Sequence, residues 1–257
     1  MRYLSVEEGR KAPGLRLVLT QGVPGPWGES AKAIFKIKGL AYQAVAQEGG
    51  GENTQLQEWT GQASAPVAVY QDEPARGDSI DILFLAERLA PEPALIPQDM
   101  QQRVTMFGLA REIIGRRGLG WSRRIMMLAP LMQQADPPES IRRLAQRYGC
   151  REQLLNTAPF EAARILDHLA ATLARQSQRG SRYFVGDTLS AVDIYWACFS
   201  VMLNPLPAEH CPMPDWLRAN YADIGPVVAA SLVPALLAHR DFVFAEHIGL
   251  PLDFLPQ

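Results

Sequence analysis

The chain has 257 residues, 47% hydrophobic and 20% charged, which is the balance of a globular protein and excludes a disordered, collagen-like or rod-like one. A chain of this size buries roughly 70–75% of its unfolded surface, so its core needs neither metal nor disulfide to supply stability. With 25 basic and 27 acidic residues the net charge is −2, and no global field exists to attract nucleic acid or an acidic membrane.

Residues 1–14 contain no apolar signal-peptide run, and nowhere does the sequence approach about eighteen unbroken apolar residues. The expectation is a cytoplasmic protein. Leu15 to Thr20 is a short apolar run closed by Gly22-Val23-Pro24-Gly25-Pro26, which predicts a buried strand and a tight loop. From Trp27 to Lys38 the residues Ala31, Ile34, Phe35 and Ile37 form a helical apolar face, Lys32, Lys36 and Lys38 fall on or near the solvent side, and Gly39 stops the helix. Tyr42 to Ala46 alternates like a second strand, and residues 47–64 are polar and Gly-rich. A third strand begins at Ala65-Pro66-Val67, where a missing N–H does least harm. Pro74 and Gly77 mark a turn, with room for one more strand before Asp78-Ser79 caps an apolar helix from Ile80 to Leu89.

Pro91, Pro93 and Pro97 stiffen a linker over 91–99. It divides an α/β domain at 1–90, with an N-terminal extension at 1–14, from a domain at 100–257 in which only the helical period recurs. In that second half Leu189-Ser190-x-x-Asp193-Ile194 has the residues of a hydrophobic staple and capping box, which gives it a structural role. Cys150, Cys198 and Cys211 form no CxxC pair and show no metal-ligand spacing, so no metal is expected and the compartment reads as reducing. The histidines His168, His210, His239 and His247 are scattered, which reads as packing or surface.

Three motifs together resemble the cytosolic glutathione transferases. They are Pro26-Trp27 through Lys38-Gly39, Ser64-Ala65-Pro66-Val67 followed by Asp78-Ser79, and Phe184-Val185-Gly186-Asp187 through Asp193-Ile194. The resemblance covers about residues 15–200 and implies an α/β thioredoxin-like N-terminal domain plus an all-α C-terminal domain, assembled as a homodimer. It implies glutathione as co-substrate, conjugated or otherwise activated toward a small apolar electrophile. Ala65 and a cis Pro66 would then present backbone to the tripeptide, Asp78 and Ser79 would hold its γ-glutamyl end, and Gln62 would sit near its glycyl end with only neutral donors.

The departure lies at the chemical group. Members with a Ser or Cys at the start of the first helix place it where this chain has Gly25, and no tyrosine stands near the end of the first strand. The candidates for holding a thiolate are therefore Trp27, Thr20, Ser30 and the helix N-terminus itself. The competing reading is a non-catalytic binding or interaction protein that keeps the fold. In the helical half Arg111, Arg116, Arg117, Arg123 and Arg124 interleave with Trp121, Met126 and Met127. Arg116 and Trp121 are the candidates for a second-substrate pocket, against the commoner reading of a solvated face or subunit contact.

Overall fold

A computed structural model describes all residues, 1–257. The N-terminal half runs α1 (Val6–Lys11), β1 (Leu15–Thr20), α2 (Pro26–Ile37), β2 (Gln43–Gln47), α3 (Thr54–Thr60), β3 (Val67–Tyr70) and α4 (Ser79–Leu89). The strands form one sheet in the order β2-β1-β3, with β1 parallel to β2 and antiparallel to β3. The apolar residues of β1 fall on both of its faces because both are covered, and Arg16 is buried among them. Leu15, Leu17 and Leu19 join the main core, while Val18 packs with Val45, Leu56, Val67 and Val69 in a smaller cluster on the other side.

Two expectations change here. The further strand after Tyr70 is reduced to a single bridge between Ala68 and Arg76, since Pro74 and the α4 cap at Asp78 leave no length for a ladder. The Gly-rich stretch 47–64 contains helix α3, whose one buried side chain, Leu56, was too little apolar signal to show a period.

The second half is helical: α5 (Met100–Ile114), α6 (Leu119–Met132), α7 (Glu139–Tyr148), α8 (Glu152–Gln178), α9 (Ala191–Ser200), α10 (Asp215–Ala222), α11 (Gly225–Ser231) and α12 (Pro234–Val243), with a π-helical turn over Phe244–Ile248. No single helix is long and apolar enough to cross a membrane. Every residue of α9 is buried, as a helix that is apolar all round must be, and it packs against α2, α5 and α12. It is the hub that joins the two halves.

Lys36 is exposed as expected, but Lys32 is partly covered and Lys38, just past the end of α2, is buried. Lys38 pairs with Glu87 at 2.6 Å and donates to the Ala90 carbonyl at 2.8 Å, which ties α2 to the linker. Lys32 pairs with buried Glu29 and donates to the Asp253 carbonyl, and Lys36 donates to the Ile248 carbonyl. Long stems let these ammonium groups cross apolar surface to reach their partners. They hold the C-terminal tail, which also meets the N-terminus where the Met1 ammonium contacts Asp253 at 2.7 Å.

Candidate functional site

A cavity of about 790 Å³ opens between the two halves. Its N-terminal wall is made of the start of α2, the turn before β3 and the start of α4. The Ala65-Pro66 bond is cis. Pairing of β3 with β1 begins at Val67, so Ala65 lies outside the ladder, and its N–H and C=O make no hydrogen bond within the chain. A backbone amide left unpaired beside a cavity is available to a peptide-like ligand.

At the start of α4 one carboxylate oxygen of Asp78 accepts from the Ile80 N–H at 2.8 Å, which leaves the other oxygen free. The Ser79 carbonyl accepts from the hydroxyl of Tyr195, whose ring is buried in α9, so this corner is braced from the helical half. Gln62 lines the cavity, but its amide nitrogen is already engaged within the chain. Its amide nitrogen donates to the Ser64 carbonyl at 2.9 Å and lies 3.4 Å from the Pro66 carbonyl, while its oxygen packs so closely on Gly77 that a Cβ there would overlap it. It buttresses the turn before β3.

The candidate thiol-binding groups are likewise spent. The Trp27 indole N–H donates to the Ile114 carbonyl at 3.0 Å, the Ser30 hydroxyl donates to the Trp27 carbonyl at 3.0 Å, and the Thr20 hydroxyl donates to Gln47 at 2.7 Å. What remains is backbone. Helix α2 begins at Gly25 with no side-chain cap, and the N–H groups of Trp27 and Gly28 make no hydrogen bond within the chain. Gly25 and Gly28 both line the cavity, so the positive end of the α2 dipole opens into it.

The helical wall carries the arginines. Arg111, Arg116, Arg124 and Arg147 line the cavity with Trp121 and Tyr148. Arg123 does not: it is buried and donates to the carbonyls of Met202, Asn220, Tyr221 and Asp223, which ties α6 to the end of α9 and to α10. Burial draws its pKa down to about 10, still protonated at neutral pH. Arg117 stands outside the cavity at the α5–α6 corner. The Arg116 guanidinium lies 5.7 Å from the Trp121 ring centre and that of Arg124 lies 6.0 Å from Trp27. Trp121 and Tyr148 meet edge to face at 4.7 Å, and the Trp121 indole N–H donates to the Tyr148 carbonyl at 2.9 Å.

Helix α7 closes one end of this space. Arg143 donates to the Gly50 carbonyl at 2.7 Å, and Gly50 has φ +76° with Ser140 so near that a Cβ would sit 2.8 Å from its carbonyl oxygen. Glycine is required there for both reasons. Arg147 and Tyr148 reach the cavity only because α7 folds back over the β2–α3 loop.

The cysteines take no part. Burial raises the thiol pKa of Cys150 and Cys198 and pushes that of Cys211 up to about 12, so none is a thiolate at neutral pH, and none lines the cavity.

No protein-family model matches the sequence, and no curated protein does. Solved structures match it along nearly the whole chain. A glutathione S-transferase from Xanthobacter autotrophicus Py2 is similar with a TM-score of 0.61 at 19% identity, over 92% of this chain and 96% of that one. A glutathione S-transferase from Methylobacterium radiotolerans JCM 2831, in complex with glutathione sulfonate, is similar with a TM-score of 0.57 at 16% identity, over 95% and 98%. The chain has the glutathione transferase fold. A third structure with this fold, a glutathione S-transferase from Methylobacillus flagellatus KT with glutathione bound, gives a TM-score of 0.56 at 15% identity, over 88% and 98%. Within the glutathione transferase fold of this chain, the unpaired Ala65 amide, the free oxygen of Asp78 and the uncapped start of α2 face one cavity.

Proposed function

We propose that this protein binds glutathione in the cavity between its halves and activates the thiol for transfer to a small electrophile. Ala65 takes the cysteinyl backbone, Asp78 pairs with the γ-glutamyl ammonium, and the Ser79 amide and hydroxyl take the α-carboxylate. The thiol meets the Trp27 and Gly28 N–H groups at the start of α2, where the helix dipole favours the thiolate. The thiol proton passes to solvent. The thiolate sulfur forms a bond to an electrophilic carbon, whose leaving group departs with its electron pair. The observation that carries the reading is the uncapped start of α2, with two unpaired N–H groups, beside the Ala65 and Asp78 positions. The fold, shared with neighbours solved with glutathione or its sulfonate, supports the ligand.

Gly25 and the committed donors of Trp27, Thr20 and Ser30 favour one second reading, a non-catalytic glutathione binder. Calorimetric titration of wild type and Asp78→Ser tests the first step. Serine keeps the helix cap while removing the charge, so glutathione affinity should fall about tenfold with the melting temperature nearly unchanged. Absence of heat with wild type sinks the glutathione reading. Binding without acidification of the bound thiol, read by thiolate absorbance across a pH series, selects the non-catalytic binder.

A homodimer is the assembly we propose. Phe84, Met100 and Val104 are exposed on α4 and α5, and Phe84 stacks on Phe107 at 5.6 Å, which together support an apolar contact between copies. Three free cysteines support a reducing, cytoplasmic setting.

A further inference from the structure

The cavity has an unequal charge distribution. Its acidic lining residues are Glu29, already paired with Lys32, and Asp78, both on the N-terminal side. The helical side presents Arg111, Arg116, Arg124 and Arg147, and none of the four has a carboxylate within 4.0 Å. Elsewhere the protein does pair arginines: Arg76 and Arg88 share Glu73, and Arg164 reaches Glu112 and Glu161. The Nε of Arg124 is buried without any hydrogen-bond partner. Burial opposes its charge, yet the facing Tyr221 and Tyr148 phenols hold its pKa above the ordinary value, so it stays cationic. Four guanidinium groups without carboxylate partners along one wall of a cavity repel one another, and an anion placed among them relieves that repulsion. Guanidinium forks fit planar carboxylates and sulfonates bidentately. The Trp121 and Tyr148 rings interleaved with them form an apolar wall whose indole N–H is already satisfied, leaving aromatic surface for a hydrophobic body.

We infer that the second ligand of this cavity is an anion carried on an aromatic or unsaturated apolar body, held by Arg111, Arg116, Arg124 and Arg147 against Trp121 and Tyr148. The inference refines the electrophile of the proposed transfer and rests on that reading for the ligand's role. Glutathione also carries carboxylates, so the shared chemistry is carboxylate capture, and the test separates the two sources.

Calorimetry with the full chain compares naphthalenesulfonate with neutral naphthalenesulfonamide, which share a ring system and differ in charge. The sulfonate should bind about tenfold more tightly, and its advantage should shrink as sodium chloride is added. Arg111 and Arg116 are exposed at the surface, so Arg111→Gln/Arg116→Gln should fold, as should the single variant Arg147→Gln. The double variant should lose the preference while binding glutathione as wild type does. Equal affinity for the two probes, or no binding of either, overturns the inference. So does a parallel loss of glutathione affinity in the double variant, which would assign the arginines to glutathione. Failure of wild type to bind glutathione with the sulfonate preference intact would instead sink the transferase reading alone.

Discussion

Two helix starts in this molecule are built in opposite ways. At α9 Asp193 is fully buried: one carboxylate oxygen accepts from the Ser190 N–H and hydroxyl, each at 2.9 Å, and the other accepts from the Phe184 N–H and lies 3.0 Å from His239. At α2 the cap residue is Gly25, no side chain bonds back, and two N–H groups face a cavity. At the first, Ser190, Asp193 and His239 tie side chains and backbone donors to one another, and the second has no side chain that bonds back. The contrast separates a helix start that holds the fold from one that can hold a ligand, although both have the same orphan donors.

Removing Asp193 should give the largest effect. Asp193→Ala strands the Ser190 and Phe184 donors in the core and should cost about 3 kcal/mol. The corresponding fall in Tm is roughly 6–12 °C, with glutathione affinity unchanged. An unaltered melting curve would remove the distinction between the two helix starts.

The reciprocal change is smaller and sharper. Gly25 has φ −67° and ψ 121°, open to any residue, with nothing within 4 Å of an added Cβ. Gly25→Asp should cap α2 with its own carboxylate and stabilise the fold by about 0.5 kcal/mol. Glutathione affinity should drop about tenfold as the carboxylate takes the N–H groups and repels the thiolate. Gly25→Ser instead adds a neutral hydroxyl at the same point and should raise turnover of any accepted electrophile. If Gly25→Asp binds glutathione as wild type does, the start of α2 is not where the thiol sits.

The smallest effect concerns the buried hub. Iodoacetamide on the native protein should modify half-buried Cys150 first and spare Cys198 in α9 and Cys211, whose thiols burial keeps protonated. Earlier modification of Cys198 would mean that α9 opens more readily than the surroundings of Cys150.

The capping box was legible because its parts lie within a few residues: Ser190 and Asp193 meet across one helical turn whatever surrounds them. The β1 run, the α2 period and the proline that opens β3 were legible for the same local reason. His239 was not. It stands 46 residues from Asp193 and becomes its partner only when α12 packs on α9. Lys32 and Lys38 misled because helical spacing says which face a residue occupies but not whether another segment covers that face. Here the linker covers Lys38 and the C-terminal tail partly covers Lys32, while Lys36 stays exposed. Trp27, Thr20 and Ser30 had the right chemistry for a thiolate, and only packing revealed that each donor is already used.

By itself the sequence determined the mixed first half, the helical second half, the cis-proline turn, the two acidic caps and the absence of a catalytic side chain at Gly25. These are properties of short segments, set by propensity, capping and spacing. The tertiary structure decided which donors remain free, which arginines face the cavity and which is locked into backbone carbonyls, and how the tail clasps α2. A hydrogen bond or an ion pair needs its partner within a few ångströms, and for these groups the partner lies on a distant stretch of chain.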